Sequence, residues 1–410
     1  MVKFMYKMRT LSCGIRCICE KIPHVHSVSL GVRIAAGTRH ESEEFWGISH
    51  FIEHMLFKGT KNRSAREIAE YTDNFGAQLN AFTARDNTCF YIKAMDSHFE
   101  KCFEILSDML LESTFEAKEI SRERDVVLEE ISMYEDTPEE LLYDNLEEIC
   151  FLGQPIGRNI LGCEKSLKTF TKAKITDYMD KRYTADNMVI SAAGNFDEEQ
   201  FFDLAEKYFG NIKAKTKTDI ITETPIYTVG KRTVCKEFEQ AHIGIAFKGV
   251  SEISEDSYPL SVVHHILGAG MSSRLYQRIR EELGLAYSVD SGSTFFADCG
   301  FSSVYAAVSP ENLDRAIEEI TKEINKLKKE IGPGELARAA EQVKSSVILS
   351  QEGTSGKVST FSKQLLFYGK IQTDEEYIEK INKVTLADAE RVVEKYFDFS
   401  EMNIVVVKPN

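Results

Sequence analysis

In the stretch HSVSLGVRIAAGT, apolar Val28, Leu30, Val32 and Ile34 alternate with their neighbours, and this period of two predicts a half-buried strand ending before Gly37. The stretch AHIGIAFKGV repeats the pattern, with Ile243, Ile245 and Phe247 alternating before Gly249. Two further stretches also match. TKAKITDYMDKRYTADNMVISAAGN reads as an amphipathic helix, an aromatic and a strand beginning at Asn187, and TLADAERVVEKYFDFSEMNIVVV repeats that plan with Asn403 opening the strand. Two diverged copies of about 200 residues each are therefore expected. The predicted organisation is a domain over residues 1–212, a polar connector over 213–225 within NIKAKTKTDIITETP, and a homologous domain over 226–410. Strands and helices do not alternate strictly, and successive strands read as hairpins. The expected class is thus α+β, each half a mainly antiparallel sheet with packed helices.

A helical period appears in three places. Ser49 to Lys58 reads as a helix with Ser49 as N-cap and Gly59 as its stop. The next begins at a capping box of Ser64 and Glu67 and carries Ile68, Tyr71 and Phe75 on one side before Gly76. In EISRERDVVLEEISMYEDTP, Ile120, Val127, Ile131 and Tyr134 form an apolar stripe. Glu123 and Glu130 lie on that stripe, about 20° apart in projection at 3.6 residues per turn, whereas Glu129 points away.

Composition bounds the rest. A chain of 410 residues with 43% hydrophobic content supports two or more domains with real cores. Lysines and arginines interrupt MVKFMYKMRTLSCGIRCICEK, so it contains neither a secretory h-region nor a membrane span, and the expected location is cytoplasmic, with no membrane partner. The nine cysteines lack Cys-x-x-Cys pairs, which fits reduced thiols; Cys17 and Cys19 would share one strand face as buried fillers. A formal charge of −15, without a basic stripe, disfavours nucleic acid as a partner.

The stretch His50-Phe51-Ile52-Glu53-His54 carries the chemistry. Histidines four apart project from one helix face and can offer ring nitrogens to one ion at about 2.0–2.1 Å, the usual Zn–N distance. Glu53 can then reach a water on that ion without displacing it, the geometry of a general base. The plainer alternative is two hydrogen-bonded histidines on a half-exposed helix, but this pattern arises by chance in such a chain at a rate of roughly a few per cent. Glu123 and Glu130 offer the missing ligand, because two carboxylates on a core-facing stripe need a positive partner. A metal serves, and so would an arginine.

HxxEH is the inverted zinc motif of the inverzincins. GISHFIEHMLFKGT, GAQLNAFTARDNTCFY and ERDVVLEEI together resemble the pitrilysin family over essentially the whole chain, in the branch of mitochondrial processing peptidase β-subunits and bacterial processing proteases. The resemblance implies His50, His54 and Glu130 as ligands of one Zn2+ per chain. In the family the last ligand follows the second histidine by 76 residues, as Glu130 follows His54 (130 − 54 = 76). It further implies Glu53 as base and Glu123 as a supporting carboxylate behind the ligands. Asn80, Ala81, Phe82 and Thr83 resemble the family's edge strand, to which a peptide adds as a further strand, although the residues alone read as an ordinary core strand. Arg280 and Tyr287, in RIREELGLAYSV, match a pair that contacts the substrate carbonyl and the developing oxyanion; alone they would be a surface arginine and a core aromatic. Adjacent His264 and His265 point to different sides of a helix and read as structural.

The expected protein is then a zinc endopeptidase of unfolded or short peptides, such as leaders or degradation fragments. Its halves would close as a clamshell, and it would pair as a homodimer or with a related subunit. A noncatalytic peptide-binding subunit and a metal-binding scaffold are the competing classes.

Overall fold

The computed structural model describes residues 6–212 and 223–410; most of the expected connector, 213–222, lies outside them. The first sheet is built from β1 (Tyr6–Thr10), β2 (Arg16–Lys21), β3 (Ser27–Ile34), β4 (Gln78–Thr83), β5 (Thr88–Met95) and β6 (Met188–Gly194), in the order β1-β2-β6-β3-β5-β4. The second contains β7 (Lys231–Cys235), β8 (Ala241–Lys248), β9 (Ala286–Phe295), β10 (Gly300–Val308) and β11 (Asn403–Lys408), in the order β7-β11-β8-β10-β9. Apart from β1, both sheets place their strands in the order first, last, second, fourth, third. Among the described residues the sole parallel pair in each, β2 with β6 and β7 with β11, falls at the same place. The topology is thus repeated, and the class is α+β as expected.

Helices α1 (Ile48–Met55), α2 (Ala65–Asn74), α3 (Phe99–Glu112) and α4 (Ala117–Glu135) belong with the first sheet. The apolar face of β3 meets α1 and α3 in a core that includes Val28, Leu30, Val32, Phe51, Met55, Phe103 and Leu106. The opposite face of β3 is also buried, contrary to the half-buried expectation. The reason is a helix from far along the chain, Thr354–Tyr368, which lies across β2, β3 and β6. It is seated by polar contacts: Ser29 hydrogen-bonds Thr354 at 2.8 Å, and Arg33 Nε donates to Ser362 at 2.8 Å. Gly31 makes this approach possible, since a Cβ there would sit 2.7 Å from Val358 Cγ1.

The second sheet mirrors this exchange. Helix α5 (Pro138–Cys150), from the first half of the chain, covers β8 and β11 with Leu142 and Leu146 over Gly244. Each compact unit is therefore discontinuous. Among the described residues, one comprises 6–131, 159–212 and Leu349–Ile371; the other comprises Ser132–Arg158, Glu223–Ile348 and Gln372–Asn410. A single division near residue 212 separates most of each unit but misses these exchanged helices, whose amphipathic patterns do not reveal which sheet they will cover.

Helix α1 departs from its expected bounds. It starts at Ile48, with Gly47 as N-cap at φ 88°, and Ser49 lies inside it. The cap comes from Glu41, whose carboxylate accepts the Gly47 N–H at 2.7 Å and the Ser49 N–H at 2.8 Å. The helix ends at Met55, short of Gly59. The Ser64–Glu67 capping box of α2 is present. Among the described residues no helix is long and apolar enough to cross a membrane.

Candidate metal centre

One turn of α1 brings the His50 and His54 rings to 4.5 Å between centroids, and α4 lies beside them with Glu123 and Glu130. The Nε2 atoms of His50 and His54 lie 3.7 Å and 3.6 Å from Glu130 Oε2. These separations exceed hydrogen-bond length. They approach the spacing of about 3.4 Å between two ligands held some 2.05 Å from one tetrahedral ion. All three donor atoms lie within 4.8 Å of one another, and they form the one such group among the described residues.

The electrostatics favour a cation there. Glu130 Oε2 is buried with no hydrogen-bond partner among the described residues, and burial raises its pKa. An unmatched buried carboxylate oxygen costs several kcal/mol, so a positive group is the natural complement. Burial, with help from His54, lowers the His50 pKa to about 3, which leaves a neutral ring able to coordinate. His54 behaves differently. Burial works to lower its pKa, but the hydrogen bond with Glu123 and the charges of Glu130, Glu123 and Glu53 raise it overall. Its Nδ1 sits 2.7 Å from Glu123 Oε1, so Nε2 is aimed at Glu130. The other Glu123 oxygen is 2.6 Å from Lys58 Nζ. Burial would raise the Glu123 pKa, but bonds to His54 and Lys58 lower it on balance. The residues present therefore fit a zinc ion: two imidazoles, one carboxylate and a carboxylate behind them. Glu129 is exposed and takes no part.

Glu53 stands on the same helix. Burial raises its pKa, partly offset by a hydrogen bond from Thr83, whose Oγ1 is 2.5 Å from Glu53 Oε2. Thr83 ends β4, the last strand of its sheet, so Asn80, Ala81, Phe82 and Thr83 do form an edge strand. The reading of an ordinary core strand is corrected: among the described residues β4 pairs with β5 alone, and its side chains are half-buried or exposed.

Arg280 and Tyr287 belong to the other unit. Arg280 lies in a wide turn of π-helix, Tyr276–Glu282, and its guanidinium sits over the rings of Tyr276 at 4.8 Å and Tyr287 at 5.1 Å. Tyr287 is on edge strand β9 and is 78% exposed, not the core aromatic its surroundings in the sequence suggest. His264 is structural as read: it is buried, and its two nitrogens meet Ser291 at 2.5 Å and Ser302 at 2.9 Å. Cys17 and Cys19 are buried, unpaired thiols. Two supporting residues escaped the sequence reading. Lys58 was legible, being four residues after His54 and on the same face. Glu41 was not, because it reaches the helix from a preceding loop.

The family model described as insulinase, peptidase family M16, matches residues 16–164, and that described as the peptidase M16 inactive domain matches residues 169–343. The chain is 42% identical over 383 residues to the Bacillus subtilis protein named uncharacterized zinc protease YmxG, covering 93% of each. It is 32% identical to an Arabidopsis thaliana protein named probable mitochondrial-processing peptidase subunit beta, over 98% of this chain and 78% of that one. A crystal structure of a protease from Helicobacter pylori shares the fold, with a TM-score of 0.92 over 99% of this chain and 100% of that chain at 24% identity. The chain therefore belongs to peptidase family M16, the pitrilysin family of zinc proteases.

Proposed function

We propose that this chain is a zinc endopeptidase in which His50, His54 and Glu130 hold the ion and Glu53 is the general base. The observation that carries this reading is the convergence of those three donor atoms around a buried, unpartnered Glu130 oxygen. Bound there, zinc would supply a water acidified far enough to give up a proton near neutral pH, and would polarise a peptide carbonyl. Glu53 accepts the proton of that water and delivers it to the departing amine. Glu123 keeps the His54 ring turned so that Nε2 faces the ion. The unpaired backbone groups of β4 at Asn80, Ala81, Phe82 and Thr83 receive the substrate as an extended strand. Arg280 and Tyr287 are proposed, from the family resemblance, as donors to the substrate carbonyl.

Strand addition reads backbone first, so the substrate class is unfolded or short peptides, including leaders and degradation fragments. The relative named as a processing-peptidase subunit supports both a peptide of that kind and a paired chain, as a homodimer or with a related subunit. The test is Glu53→Gln. Zinc content stays at one per chain, while cleavage of a peptide library falls by about 10²–10⁴-fold. Unchanged cleavage would remove Glu53 from the mechanism. Inactivity of the purified wild type alone, rescued by a related chain, would favour the partner-dependent subunit.

A further inference from the structure

The carboxylate of Glu53 has one hydrogen-bond donor among the described residues, the hydroxyl of Thr83. That hydroxyl has a second neighbour, Thr88 Oγ1, at 3.4 Å. Thr88 gives its own proton to the Ala36 carbonyl at 2.9 Å, so the Thr83 proton is committed to Glu53. Thr83 is also rigidly presented. It closes β4 opposite Thr88, and the turn beyond is pinned by Ala84 N–H to Asn87 O at 2.7 Å and Arg39 N–H to Arg85 O at 2.8 Å. Gly37 sits so close beneath this turn that a Cβ would collide with the Ala84 carbonyl. A β-branched residue has few rotamers to explore in such a place.

We infer that Thr83 is a positioning residue: its hydroxyl holds the Glu53 carboxylate in line and ties the aim of the base to the edge strand that receives the peptide. The inference rests on Glu53 acting as base, but it makes a separate demand on the side chain of Thr83. Backbone pairing along β4 is unaffected by the identity of that side chain, so peptide binding and base orientation separate experimentally.

The test uses Thr83→Val, which keeps the branched shape and removes the hydroxyl, and Thr83→Ser, which restores it. With zinc-loaded full-length protein and an unfolded peptide substrate, Thr83→Val lowers kcat by about 10²-fold, the scale of a misplaced catalytic group, with KM and zinc content unchanged. Thr83→Ser recovers kcat to within about threefold of wild type. A second readout needs no activity. In protein stripped of metal, Thr83→Val lowers the melting temperature by about 2–4 °C when Glu53 is present and leaves it unchanged in a Glu53→Ala background. Equal kcat in Thr83→Val and wild type, or additive melting shifts, would overturn the inference while leaving Glu53 as base intact. An active Glu53→Gln protein would instead remove the reading on which it rests.

Discussion

Replacing Glu123 by Gln tests whether a residue that touches no ligand atom sets the affinity of the ion. Glu123 spans two partners, with Oε1 2.7 Å from His54 Nδ1 and Oε2 2.6 Å from Lys58 Nζ. Its side chain is 4% exposed, so water does not substitute for either bond. A glutamine cannot satisfy both. With its oxygen toward His54, its amide N–H groups face the Lys58 ammonium; turned over, they face the His54 N–H. In either orientation the ring loses the negative charge that strengthens Nε2 as a donor, and in the second it also loses the acceptor that fixes its tautomer. Outer partners of this kind are worth about 10–100-fold in metal affinity, or about 1.4–2.7 kcal/mol. Competition against a chromophoric chelator should show the zinc Kd of Glu123→Gln rising by that factor. Lys58→Met, which spares the bond to His54, should shift Kd by less. A Kd within about threefold of wild type for Glu123→Gln would refute the claim that Glu123 orients His54.

Three further outcomes follow from other parts of the molecule. Burial would raise the Asp256 pKa, but bonds from Tyr396 (2.6 Å), Arg391 (2.7 Å) and Lys395 (3.1 Å) lower it to about 2. A depressed carboxylate stabilises the fold above its unfolded pKa, near 3.9, and that contribution is lost as pH falls through about 2. Asp256→Asn should therefore cost about 2 kcal/mol in urea unfolding at pH 7 and almost nothing near pH 2. At Gly31 a methyl would lie 2.7 Å from Val358 Cγ1, while at Gly244 it would lie 3.2 Å from a leucine tip. Gly31→Ala should lose about 1–3 kcal/mol to overpacking, and thermal melts should show Gly244→Ala losing less. Chelation should abolish cleavage and lower the melting temperature, with zinc at about 1,000 times its Kd restoring about 4 kcal/mol in calorimetry.

The ligand-bearing elements were legible because their signals are local. His50 and His54 share a helix face at a spacing of four, Glu123 and Glu130 at a spacing of seven, and 3.6 residues per turn decides both. The duplication was legible for a similar reason, since each half repeats its own strand alternation. That β4 is an edge was not readable from its residues, because an edge is defined by what fails to pair beside it. Nor was the second buried face of β3, where Ser29, Gly31 and Arg33 read as solvent-facing until helix Thr354–Tyr368 covers them.

The chain's own periodicity thus determined which side chains could share a face, and their types made that face suited to a cation. Only the folded molecule decided that α4 lies against α1, that Glu41 caps the helix carrying the histidines, and that Thr83 closes on Glu53. Those contacts join separate elements, and no helical or strand period encodes them; they arise when each unit buries its apolar faces and the remaining polar atoms must find partners.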